Sequence, residues 1–145
     1  MPIIDHSKKV FINDRDENTF IGIDLPFRKS SGQEGYFASS TFTIDAVKNN
    51  IRNLLKTKKG ERLMQPNLGL NLDKFLFENF TDDTLLAIQN EILNTINTWL
   101  PFVEVKDLNI EMDELSDLGK NRLNVKVIFN ITRDPNTLDS VNVTI

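Results

Sequence analysis

Arg122-Leu-Asn-Val-Lys-Val-Ile-Phe-Asn-Ile131 places Leu123, Val125, Val127, Phe129 and Ile131 on alternate positions, with Arg122, Asn124, Lys126 and Asn130 between them. A period of two belongs to a strand with one face on a core and the other toward water. In the run before it, Val103 and Val105 are odd, while Leu108, Ile110 and Met112 are even. One extra residue near Lys106-Asp107, a β-bulge, returns all five to a single face. With a loop at Leu115–Lys120, antiparallel pairing sets Met112 opposite Leu123, Ile110 opposite Val125 and Leu108 opposite Val127. Across the bulge, Val105 meets Phe129. On the other face Asp113 falls beside Arg122, a cross-strand pair worth roughly 0.2–1 kcal/mol. Asp134-Pro-Asn136 supplies the next turn, and Val141, Val143 and Ile145 alternate again. A third strand of this kind is expected to leave an edge open, where another chain can pair, unless it simply completes its own sheet.

Upstream the period changes to that of helices. Ile44, Val47, Ile51, Leu54 and Leu55 form one stripe, with Thr43 as the expected N-cap and Asp45 in the first turn. Lys56, Lys58 and Lys59 gather at the far end, where positive charge complements the helix dipole, and Gly60 is the expected left-handed stop. A phosphate-binding reading of these lysines is weaker, because Lys58-Lys-Gly-Glu61 lacks the spacing of a phosphate loop. A second helix opens on Thr81 with Asp82 and Asp83, carries Leu85, Ile88, Ile92, Ile96 and Trp99 on its buried stripe, and stops before Pro101. Trp99 reads as a core anchor rather than a ligand-stacking ring.

Between the helices, Thr57–Glu78 concentrates Gly60, Pro66 and Gly69, residues used where a backbone turns sharply or passes close to another. Leu72, Phe75, Leu76 and Phe77 add a short helical turn. Residues 1–42 are expected to be an extended N-terminal arm, and 43–145 a single α+β domain. In that domain two main helices pack on a C-terminal three-stranded antiparallel sheet. Phe20-Ile-Gly-Ile-Asp-Leu-Pro-Phe27 is too broken for a helix, and with Tyr36 and Phe37 it suits an arm docked on the body or on a partner.

The 145 residues are enough for one domain, which buries about 70% of its unfolded surface. A net charge of −4 and a pI near 5.0 argue against nucleic acid as a partner. The absence of cysteine removes disulfides, thiolate nucleophiles and thiolate metal sites. There is no apolar stretch that reads as a secretory signal or a membrane span, so assembly in the cytoplasm is expected without membrane insertion. His6, the single histidine, sits in the arm, where it serves neither a triad nor a metal cluster. Glu61, Glu78 and Glu91 could supply a carboxylate pair for glycoside hydrolysis, but one of the pair would need an apolar pocket that raises its pKa. No enzyme and no cofactor are expected.

The Phe20–Phe27 arm, a helix ending Leu55-Lys-Thr-Lys-Lys-Gly-Glu-Arg62, then Met64, Pro66, Gly69 and Phe77-Glu78, a helix closed by Trp99-Leu-Pro101, and a terminal three-stranded sheet form a pattern. It resembles the baseplate wedge, or sheath-initiator, family of contractile phage tails. Relatives of that family occur in type VI secretion baseplates, contractile bacteriocins and extracellular injection particles. The similarity covers about residues 20–145, and its most specific part is the structural motif Gly60, Glu61, Arg62, Pro66, Gly69, Phe77 and Glu78. It implies a structural baseplate protein, present in several copies in a sixfold assembly, whose partners are wedge proteins and sheath subunits. Its sheet would accept sheath strands by β-augmentation and so template the sheath. On that reading Leu138, Val141, Val143 and Ile145 form the sheath-binding edge, and Phe20, Phe27, Leu100, Pro101 and Phe102 dock on the baseplate. Family members commonly carry Glu-Pro-Arg after the second helix, where this chain has Leu100-Pro101-Phe102; the docking contact is then apolar or made elsewhere. Leu70 stands where cysteine is common. The alternative, a lysozyme-like peptidoglycan hydrolase on a tail baseplate, finds no support in the residues.

Overall fold

A computed structural model of the protein describes residues 20–30, 36–40, 42–76, 81–115, 120–132 and 134–145. Expectations that rest on His6, Phe77 or Glu78 lie outside the described residues. The elements run β1 (Gly22–Ile23), β2 (Ser39–Ser40), α1 (Thr43–Lys56), α2 (Asp73–Leu76), α3 (Asp82–Trp99), β3 (Val103–Leu115), β4 (Lys120–Ile131) and β5 (Asp134–Thr144). The last three form one antiparallel sheet in the order β3-β4-β5. α1 packs on β5, α3 packs on β3, and the two helices touch each other. The fold is the expected α+β arrangement.

The hairpin has the register expected from the alternation and the loop at Leu115–Lys120. Met112 faces Leu123, Ile110 faces Val125, Leu108 faces Val127, and Val105 faces Phe129 across a shift between Val105 and Asp107. Leu123, Val125, Val127, Phe129 and Ile131 of β4 are buried with Val141 and Val143 of β5 beneath the helices. Burying each such side chain stabilises the fold by roughly 1.5–3 kcal/mol. Leu115 and Lys120 pair with each other, so the strands run to the ends of the expected loop. The second turn lies elsewhere than Asp134–Asn136. Ile131 pairs with Asp134, so the chain has reversed before Asp134 and β5 already includes Pro135. A proline near the start of an edge strand costs no ladder bond if its nitrogen faces outward, so it does not force a turn.

In α1, Val47, Ile51, Leu54 and Leu55 are buried and Ile44 is half-buried. The N-cap position falls to Phe42, not Thr43, and no side chain caps this end. Nor does the helix stop at Gly60. It ends at Lys56, and the next residue, Thr57, turns extended while its N–H and hydroxyl both donate to the Asn53 carbonyl, the hydroxyl at 2.6 Å. That satisfies a terminal acceptor without a left-handed residue. α3 matches its reading closely. The Thr81 hydroxyl accepts the Thr84 N–H at 3.3 Å, Asp82 and Asp83 occupy the first turn, and Ile88, Ile92 and Ile96 are buried. Leu85 and Trp99 are half-buried, Trp99 against the core margin.

Over its described part, the expected arm is a narrow ribbon. Gly22 pairs with Ser40, Ile23 with Ser39, and Lys29 with Phe37. Asn49, buried on α1, donates to the Ile23 carbonyl and to the Asp24 carboxylate, both at 3.4 Å, and so fastens the ribbon to the domain.

Candidate assembly surfaces

The connector between α1 and α2 is a loop closed upon itself. Leu70 N–H donates to the Thr57 carbonyl at 2.9 Å, and Lys59 N–H donates to the Leu70 carbonyl at 3.1 Å, a short parallel bridge at the stem. Farther out, Gly60 N–H reaches the Pro66 carbonyl at 2.7 Å. Two motif glycines make this closure possible, with φ of +89° at Gly60 and +108° at Gly69. A Cβ on Gly69 would stand 2.2 Å from the Thr57 carbonyl oxygen, so only glycine lets the two stem strands approach. The Glu61 carboxylate accepts the Lys58 N–H at 3.1 Å, and the Arg62 guanidinium reaches Asn53 Oδ1 at 3.4 Å on the last turn of α1. These motif residues hold their own loop in shape.

The loop is also strapped to α3. Lys59 Nζ lies 2.5 Å from Glu91 Oε1. The hydrogen bond from Lys59 holds the Glu91 carboxyl below its ordinary range; partial burial opposes the shift, and the charges of Lys59 and Lys74 and the Asn71 N–H add to it. A general acid needs the opposite shift. Glu61 is occupied within its loop, and Glu78 lies outside the described residues. Among the described residues no cluster of histidine or carboxylate side chains could hold a metal ion.

β5 lies at one edge of the sheet. Ile145 and Leu123 exchange both main-chain hydrogen bonds, at 2.9 and 3.0 Å. In an antiparallel ladder such pairs alternate, so Val143, Val141 and Asp139 also turn their main chain toward β4. The outward amides and carbonyls belong to Ser140, Asn142 and Thr144. Of the four residues expected at this edge, Val141 and Val143 point into the core, Ile145 packs against it partly buried, and Leu138 is exposed. Asp139 shapes the edge in two ways: one carboxylate oxygen pairs with Lys48 of α1 at 2.6 Å, and the other accepts the outward Ser140 N–H at 2.7 Å. Main-chain pairing from outside therefore has Asn142 and Thr144 to work with.

The residues expected to dock on the baseplate belong to two separate parts of the fold. Phe20 and Phe27 are exposed on the ribbon, where the Phe27 ring lies 5.6 Å from Phe37, itself in edge contact with Tyr36. Leu100, in contrast, is buried at the end of α3, and only Pro101 and Phe102 face outward. The Phe102 carbonyl accepts both the N–H and the hydroxyl of Thr132, joining the start of β3 to the end of β4. Sequence reasoning passed over Leu63 and named Met64 only as part of the family pattern; both stand at the tip of the motif loop, with 95% and 94% of their surface exposed. Two adjacent apolar residues in a turn carry no periodic signal that would mark them.

This geometry can be set beside known proteins. The baseplate wedge protein gp25 family model matches residues 43–136, from the first residue of α1 into β5. The baseplate wedge protein gp25 of Enterobacteria phage T4 is 22% identical over 103 residues, covering 71% of this chain and 75% of its own. Among solved structures, a chain of the anti-feeding prophage baseplate is similar at 27% identity with a TM-score of 0.61, covering 76% of this chain and 83% of that one. A putative tail lysozyme from Geobacter sulfurreducens shares the fold at 24% identity and a TM-score of 0.60, over 70% of this chain and 88% of that one. A chain of the type VI secretion baseplate complex does so at 16% identity and 0.54, over 70% and 91%. With the match spanning both main helices and the hairpin, the chain belongs to the baseplate wedge protein gp25 family.

Proposed function

We propose that this protein is a structural part of the baseplate of a contractile tail or injection particle, and that the outer edge of β5 receives an extended strand from a sheath subunit, templating the first sheath ring. The supporting observation is the alternation of β5: Val141 and Val143 fasten the strand to the core while Asn142 and Thr144 turn their main chain outward. Each added hydrogen bond contributes about 0.5–1.5 kcal/mol net, so a single strand binds weakly, and several copies around a ring act together. The protein works without catalysis, a reading supported by the depressed Glu91 carboxyl and the internal engagement of Glu61.

The test is sheath polymerisation on wedge particles, followed by electron microscopy, with the intact protein and with Asn142→Pro. Proline removes an outward N–H and leaves the ladder to β4 whole. Sheath is expected to grow from the intact particles and to fail on the variant while its circular dichroism is unchanged. Equal growth on both would remove the β5 edge from the mechanism. A turbidity assay on cell-wall suspensions addresses the hydrolase alternative, and lysis abolished by Glu91→Gln would restore it.

A further inference from the structure

We infer that the tip of the motif loop, Leu63-Met64, is an anchor that inserts into an apolar pocket rimmed by carboxylates on a different protein of the baseplate. Single exposed apolar side chains are ordinary on a protein surface. Two adjacent ones, 95% and 94% exposed, on a loop held by its own hydrogen bonds are another matter. The bonds Gly60 to Pro66, Gln65 to Arg62 and Leu68 to Gln65, at 2.7 to 3.2 Å, fix the tip before any partner arrives. An anchor fixed in advance gives up little conformational freedom on binding.

The charge around the tip specifies the pocket. The protein carries a net charge of −4, yet Lys56, Lys58, Lys59 and Arg62 are gathered at the base of this loop. Among the described residues, Glu91 pairs with Lys59, and Glu61 stands beside them, keeping its charge while it accepts the Lys58 amide N–H. Four cations against these two carboxylates leave the base net positive among the described residues, which favours a carboxylate rim and disfavours another cationic surface. A partner of a different kind also fits the relatives, one of which is a chain of the anti-feeding prophage baseplate. The inference rests on membership of the baseplate family and is independent of strand addition at β5, so each can fail alone.

The experiment compares the free full-length protein with purified particles that contain it. Met64 oxidation by dilute peroxide is followed by peptide mass spectrometry, and carbodiimide is used to join lysines directly to carboxylates in contact. In particles Met64 is expected to oxidise at least ~10-fold more slowly, as burial of an anchor requires, with Lys56 or Lys58 joined to an aspartate or glutamate of another baseplate protein. A Leu63→Ser, Met64→Gln variant should keep its unfolding midpoint, since the tip packs on nothing, and enter particles at least ~10-fold less well. Equal oxidation rates would overturn the inference, as would unreduced incorporation of the variant or lysine links only to a second copy of this chain.

Discussion

Gly60 and Gly69 both hold positive φ, but their surroundings differ, and so do the expected costs of change. A Cβ at Gly60 meets nothing within 4 Å, so Gly60→Ala costs only backbone strain, about 1–2 kcal/mol. At Gly69 the same change adds a collision with the Thr57 carbonyl and should cost on the order of 3–5 kcal/mol. Urea unfolding separates the two, and equal costs would show that the stem strands are not in close approach. Glu91 gives a second test at this scale. Its carboxyl titrates below the ordinary value of 4.5, so its contribution is complete above that pH and is lost as pH falls through the depressed value. The unfolding midpoint of the wild type should fall as pH drops below about 4.5, and Glu91→Gln should flatten part of that fall while lowering stability at pH 7. An unchanged acid slope would mean that the Lys59 pair is not kept in solution. Neither the Lys59–Glu91 strap nor the Asn49 contact could be read from the sequence, because both join residues distant along the chain through exposed-looking polar types.

At the scale of elements the sequence was most legible where one period governs a long run. The bulge at Lys106 follows from alternation, since a slip of one residue would turn every apolar side chain to water, and four cross-strand pairs follow from it once the loop is placed at Leu115–Lys120. Ends of elements were less legible. Phe42 precedes α1 where Thr43 was expected, and Asp134-Pro135 lies within β5 where a turn was expected, since tertiary pairing overrides local turn preference. The ribbon, described at residues 20–30 and 36–40, had no periodic signature, and Asn49 is the buried group that fastens it. Asn49→Ala should therefore expose this segment to proteases and speed amide exchange at Asp24 and Ala38, while the far-UV spectrum of the helices and sheet persists. A cost of about 1–3 kcal/mol is expected, from leaving the Ile23 carbonyl and Asp24 with fewer partners. Unchanged proteolysis would place the attachment elsewhere.

In the molecule as a whole, one strand serves two purposes, and that constrains how its function can be tested. The inner faces of Val141 and Val143 close the core under α1, and the outer main chain of the same strand is the proposed site of sheath addition. Removing residues 141–145 therefore does not delete a docking edge from an intact domain. It withdraws two buried valines, worth on the order of 3–6 kcal/mol together, from a domain whose whole stability is about 5–15 kcal/mol. The truncated protein is expected to lose its cooperative unfolding transition, so its failure to support sheath growth would say nothing about strand addition. Asn142→Pro should instead shift the transition by about 1 kcal/mol or less, because the amide it removes faces away from β4. A truncation that unfolds together with a proline variant that folds and blocks sheath growth would place the function on the outer edge of β5. A truncation with a normal transition would show that β5 is not a wall of the core, and the packing of α1 on this sheet would then need another support.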